Sequence, residues 1–179
     1  MMFLLRMLMR KRVREMDPLH VSMTGVRMGE RFLQIGCHDR ALLSGLAAKV
    51  GLSGTAAVAA LNDHDARNAE AVGKKIGALI EVSDLDDGRA WPYGESQFDM
   101  IVVDDTTGGF GNYASKATVL SNAYRTVRAG GRIEVIERLR TDGPDDNVQN
   151  DLVAAGFKPV RVLAERDGFR FIEGLRPAS

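Results

Sequence analysis

Short apolar runs recur along this chain, and stretches with helical spacing of apolar residues follow them. The runs are residues 31–35 (RFLQI), 55–61 (TAAVAAL), 78–82 (ALIEV), 98–103 (FDMIVV) and 132–136 (RIEVI). The helical stretches are 41–50, 66–76, 113–128 and 145–155. Apolar runs this short read as buried strands. Strands alternating with helices leave few packings open: a parallel sheet with right-handed crossovers. After residue 155 the rhythm changes. Val160, Val162 and Ala164 alternate with polar residues, as do Phe169 and Phe171, with Arg166, Asp167 and Gly168 between them. That pattern predicts a hairpin. The expected fold is therefore α/β: a doubly wound, mostly parallel sheet with an antiparallel C-terminal hairpin strand.

Composition narrows the function. The 179 residues carry no formal net charge, and 45% are hydrophobic. A neutral balance argues against a nucleic-acid binder. Cys37 has no second cysteine to pair with, which fits a reducing cytoplasmic setting. His20, His38 and His64 are scattered, so no metal site is expected. Residues 1–24 stand apart from the domain expected over 25–179. They open MMFLLRMLMRKRVR, an apolar run with basic residues after it. The run is too short to span a membrane and has the charge order of a poor signal peptide. An amphipathic basic helix is expected, packed on the domain or on a partner protein. A peripheral membrane contact through residues 1–16 is the alternative, and a homodimer remains open.

In an open parallel sheet, ligands bind beyond the carboxyl ends of the strands, where the strand order reverses. The first such turn reads Gln34-Ile35-Gly36-Cys37-His38-Asp39. Gly36 lets backbone approach a ligand, and a helix with free N–H groups follows. The spacing is not G-x-G-x-x-G, so a pyrophosphate-binding dinucleotide site is not expected. Asn62 and Asp63 follow the second strand, where a carboxylate can hold both ribose hydroxyls or cap the next helix. Asp84 and Leu85 follow the third, where an acid can meet an exocyclic amine or lie in solvent. Asp104 and Asp105 end the fourth, and two acids closing an apolar strand are costly unless they face solvent or a site.

These pieces, in this order, resemble the class I S-adenosylmethionine-dependent methyltransferase family, in its ubiquinone and menaquinone C-methyltransferase-like branch. The most specific are WPYGESQFDMIVV, leading into the fourth strand, and AYRTVRAGGRIEV, leading into the fifth. The resemblance implies a Rossmann-like, seven-stranded sheet with its last strand antiparallel. It implies S-adenosylmethionine as cofactor and a small-molecule acceptor. Gln34, Gly36, Cys37 and His38 would line the methionine half, with Gln34 where the family usually has an acid. Asn62 or Asp63 would hold the ribose, and Asp84 and Leu85 would flank the adenine. Asp104 would sit by the methionine amino group or the acceptor, and Asp104 and His38 are the candidate catalytic groups. His38 and Arg40 stand where the family has small residues. The alternative is a chain that keeps the fold as a binding or scaffold module.

Overall fold

The computed structural model describes residues 18–85, 91–110, 113, 115–140 and 147–178. Residues 1–17, most of the N-terminal basic segment, lie outside the described residues. Seven strands form one sheet: β1 (Arg31–Ile35), β2 (Thr55–Ala60), β3 (Ile80–Asp84), β4 (Phe98–Asp105), β5 (Val127–Arg138), β6 (Val160–Arg166) and β7 (Phe169–Leu175). Their order is β3-β2-β1-β4-β5-β7-β6. The pairs among β3, β2, β1, β4 and β5 are parallel, while β7 runs antiparallel to both β5 and β6. The sequence expectation of a parallel sheet closed by an antiparallel hairpin strand is met.

Helices cover both faces. On one, α1 (Pro18–Met23), α2 (Arg40–Val50) and α3 (Asp63–Ile76) bury residues such as Val21, Leu42, Leu46 and Val72 against Phe32, Val58, Met100 and Phe171. On the other, α4 (Lys116–Thr126) and α5 (Val148–Ala155) bury Leu120, Ala123 and Leu152 against Leu33, Ile101, Val135 and Ile172. Burial on this scale, at about 25 cal/mol per Å² of apolar surface, drives the assembly. α1 lies close on α2 because Gly45 has no side chain: a Cβ there would come within 2.8 Å of Val21. Its His20 is buried against Phe169 and Phe171, and Nε2 lies 3.0 Å from Asp167 Oδ2 in the β6–β7 turn. Among the described residues, no helix is long and apolar enough to cross a membrane.

Several element ends differ from the sequence expectation, among them the helix expected over 113–128, which is Lys116–Thr126; three of the differences have a clear local reason. α3 starts at Asp63 and not at residue 66, because Asn62 Oδ1 accepts the Asp65 N–H and Asp63 and Asp65 favour a helix N-terminus. β3 starts at Ile80 and not at residue 78. Gly77 takes the left-handed conformation and Ala78 N–H bonds Gly73 O, which spends those residues closing α3. β5 starts at Val127 and not at residue 132. Gly130 and Gly131 look like a break, but Gly130 N–H donates to Arg176 O and Arg176 N–H to Gly131 O.

Candidate functional site

The sheet order reverses between β1 and β4, so their adjacent carboxyl ends form the switch point. Gly36 leaves β1 there with φ +75, and its N–H donates to Ala59 O at 2.9 Å. A Cβ on Gly36 would lie 3.3 Å from Asp104 O and 3.7 Å from Asp65 Oδ2. The turn is thus a place where only bare backbone fits.

Asp104 ends β4 facing this turn. Its Oδ2 accepts the Asp39 N–H at 2.8 Å, and its Oδ1 accepts the Thr106 hydroxyl at 2.6 Å and the Thr106 N–H at 3.2 Å. Asp39 in turn caps α2, its Oδ1 accepting from the N–H groups of Ala41 and Leu42. Burial pushes the Asp104 carboxyl above its ordinary range, the Thr106 hydroxyl and the Asp39 and Thr106 amides pull against that, and the Asp39 charge adds to the rise. No lysine or arginine forms an ion pair with Asp104 among the described residues.

The other wall comes from α3. Asp65 is buried, and its Oδ2 accepts from Leu61 N–H and Asn62 Nδ2. Asn68 is buried too. Its Nδ2 donates to Cys37 O at 2.8 Å and lies 3.4 Å from His38 O, while its Oδ1 accepts from Arg40 Nε at 2.6 Å. Asn68 therefore staples the first turn to α3. Sequence reasoning left both residues out of the site. The signal for them was the spacing of Asp65, Asn68, Ala69 and Val72, which is a buried helical stripe with two polar members.

Gln34 lies beneath the same turn, fully buried. Its Nε2 donates to Gly36 O at 3.0 Å, and its Oε1 has no partner among the described residues. A buried unpaired acceptor is costly unless a donor arrives. Cys37 is buried, and its thiol is pushed up by burial and then by the charges of Asp104, Asp65 and Asp39, with Arg40 opposing. It is no nucleophile at neutral pH. The same ordering shows that three acids converge on the turn. His38 is exposed, its ring 5.8 Å from that of His64.

The remaining expected contacts follow the sheet outward. Asn62 spends its side chain as the α3 cap, whereas Asp63 is exposed at the helix start. Asp84 is exposed at the end of β3, and Leu85 N–H donates to Ala60 O while its side chain packs on the interior. The structure thus brings Gln34, Gly36, Cys37, His38 and Asp104 together at one switch point. Asn62, Asp63, Asp84 and Leu85 stand along the same strand ends, further from β4.

The model of the ubiE/COQ5 methyltransferase family matches residues 8–173. Among curated relatives, the mitochondrial 2-methoxy-6-polyprenyl-1,4-benzoquinol methylase of Leishmania donovani is 29% identical over 87 residues, covering 48% of this chain and 29% of that protein. The ubiquinone/menaquinone biosynthesis C-methyltransferase UbiE of Psychromonas ingrahamii is 25% identical over 118 residues, covering 65% of this chain and 46% of that one. The matches thus span less than half the length of these relatives. A SAM-dependent methyltransferase from Aquifex aeolicus shares the fold with TM-score 0.74 at 20% identity, covering 89% of each chain. The [4+2]-cyclase SpnF shares it with TM-score 0.68 at 15% identity, covering 90% of this chain and 80% of that one.

Proposed function

Because the chain belongs to the ubiE/COQ5 methyltransferase family, we propose that it transfers a methyl group from S-adenosylmethionine to a small-molecule acceptor at the carboxyl ends of β1 and β4. The observation that carries this reading is the convergence of Asp39, Asp65 and Asp104 on the Gly36–Cys37 turn, with no ion pair on Asp104 among the described residues. An acidic pocket of this kind suits a ligand half that bears an ammonium and a sulfonium. Gln34 Oε1, unpaired among the described residues, would supply an acceptor there, and Gly36 lets the turn come this close to Asp104 and Asp65.

Bound S-adenosylmethionine supplies the activated methyl group, so the chain has chiefly to hold and align two molecules. Gly36, Cys37 and His38 would line the methionine half, with Gln34 Oε1 accepting from its ammonium. Asp63 would take the ribose hydroxyls, since the Asn62 side chain is occupied as a cap. Asp84 and Leu85 would flank the adenine. Asp104 has both oxygens engaged, so its part would be to fix the turn. His38, exposed beside that turn, is the group placed to accept a proton from the acceptor.

A second reading, a binding module that has lost catalysis, is favoured by one specific observation. The first turn is stapled by Asn68, which holds the Cys37 and His38 carbonyls and Arg40 Nε, so several of its polar groups are satisfied without a ligand. Thermal melting at millimolar S-adenosylmethionine or S-adenosylhomocysteine tests the first reading. It predicts a higher melting temperature with either ligand. An unshifted melt, together with no heat in a calorimetric titration, would reject cofactor binding. Binding without methyl transfer to any small-molecule acceptor would select the module.

A further inference from the structure

Among the described residues, two arginines on the β5 side of the site have no acidic partner. Arg138 ends β5, and its Nε donates to Thr106 O at 2.7 Å, in the turn that follows β4. Its guanidinium lies over the Phe169 ring, 5.1 Å from the centroid. The hydrogen bond and the ring together fix the group, which keeps its two terminal nitrogens free of partners among the described residues. Arg140 is exposed, its Cδ 3.7 Å from where a Cβ on Gly108 would stand, so it reaches over the same turn. It forms no hydrogen bond or ion pair among the described residues.

The acids near them among the described residues are already engaged. Glu137 pairs with Arg170 at 3.1 Å, and Asp167 accepts from His20 and lies 3.5 Å from Arg166. Asp105 accepts the Phe110 N–H at 2.8 Å. Charge along the rim therefore divides. The β1–β4 turn is acidic, and the end of β5 presents two guanidiniums with no acidic partner among the described residues.

We propose that Arg138 and Arg140 receive an anionic group, a carboxylate or a phosphate, on the molecule that occupies the site beside β4. This rests on the methyl-transfer reading for its meaning: the occupant would be the acceptor, held by its anion while its nucleophile faces the β1–β4 turn. A planar guanidinium fork with free terminal nitrogens is matched to an oxyanion pair.

The test is calorimetric titration of the full chain, with and without saturating S-adenosylhomocysteine, using three probes: benzoate, phenyl phosphate and neutral benzamide. At least one anion should bind and benzamide should not. Affinity should fall about tenfold in Arg140→Gln, and fall again as salt is raised. Arg140→Gln removes no hydrogen bond or ion pair among the described residues, so the fold should be preserved, and a melting curve checks this. Arg138→Lys, which keeps the charge but loses the fork, should also weaken binding. The tighter of the two anions distinguishes carboxylate from phosphate as the source. Benzamide binding as tightly as benzoate, no binding of either anion, or unchanged affinity in both variants would overturn the proposal. Anion binding that survives where S-adenosylhomocysteine fails to bind would uphold the arginine site and remove the methyl-transfer reading.

Discussion

Strand β4 carries an aspartate near each end, and the fold treats the two oppositely. At the amino end, Asp99 is bracketed by Arg31 and Arg128, with Nε–O distances of 3.2 and 2.8 Å. Burial pushes its carboxyl up, but hydrogen bonds from Arg31 and Arg128 outweigh that and hold it down at about 2. At the carboxyl end, Asp104 receives amide and hydroxyl donors only, and its carboxyl is pushed up. Both aspartates tie β4 to the β1 side of the sheet. Only the first is neutralised. A scaffold contact can end in a closed ion pair. A contact at a binding rim leaves charge for something not yet present.

Glu134 breaks that pairing most sharply, because it is buried, unneutralised and far from the rim. It sits mid-strand on β5, opposite Glu173 on β7, and its Oε1 has no partner. Burial and then the Glu173 charge push its carboxyl up from 4.5 to about 8, against Arg132 and Lys49. Since the folded state holds the proton more tightly, stability is full below 4.5 and declines as pH rises towards 8. Glu134→Gln should abolish that slope and stabilise the protein at alkaline pH by up to about 4 kcal/mol. Urea unfolding at several pH values reads it, and a parallel slope in the variant would remove Glu134 as the cause.

Asp104→Ala comes next. It strands the Asp39 amide and the Thr106 amide and hydroxyl, and should cost about 3 kcal/mol in unfolding free energy. A loss no larger than that of an ordinary surface substitution would mean that the bracket is not formed in solution. Asn68→Ala should cost less, about 1.5 kcal/mol, because two of its partners, His38 and Arg40, are exposed and can turn to water. It should weaken S-adenosylhomocysteine binding more than Asn68→Gln does, if the staple sets the shape of the turn.

Asp99→Asn should have the smallest effect, under about 1 kcal/mol once solvent screening is allowed for. The contribution of Asp99 is present above 3.8 and is lost as pH falls through about 2. High salt should erase most of the difference between wild type and Asp99→Asn in urea unfolding, whereas the Asp104→Ala deficit should persist. If salt leaves the Asp99 effect untouched, the two ends of β4 are not electrostatically distinct.

The sheet and its switch point were legible because they depend on patterns the chain repeats. β1 appears in the sequence at its observed bounds, since a short run carrying Phe32, Leu33 and Ile35 ends at a glycine that only a turn requires. The hairpin is equally plain from its alternation around Asp167 and Gly168. The walls of the site were less legible. Asp65 and Asn68 are polar residues on an amphipathic helix, and single-residue polarity sends them to solvent. Their burial depends on Gly36 and Arg40, far away in sequence. Arg138 and Arg140 raise the same difficulty in reverse. Nothing in the chain order shows that neighbouring acids are already paired elsewhere.

The central claim is that the acidic turn at Gly36 takes the cationic half of the cofactor. Calorimetric titration with S-adenosylmethionine, S-adenosylhomocysteine and methylthioadenosine, which lacks the amino-acid half, tests it most directly. The first two should bind, and methylthioadenosine should bind at least about tenfold more weakly. Equal affinity for all three, or no binding of the first two, would contradict it.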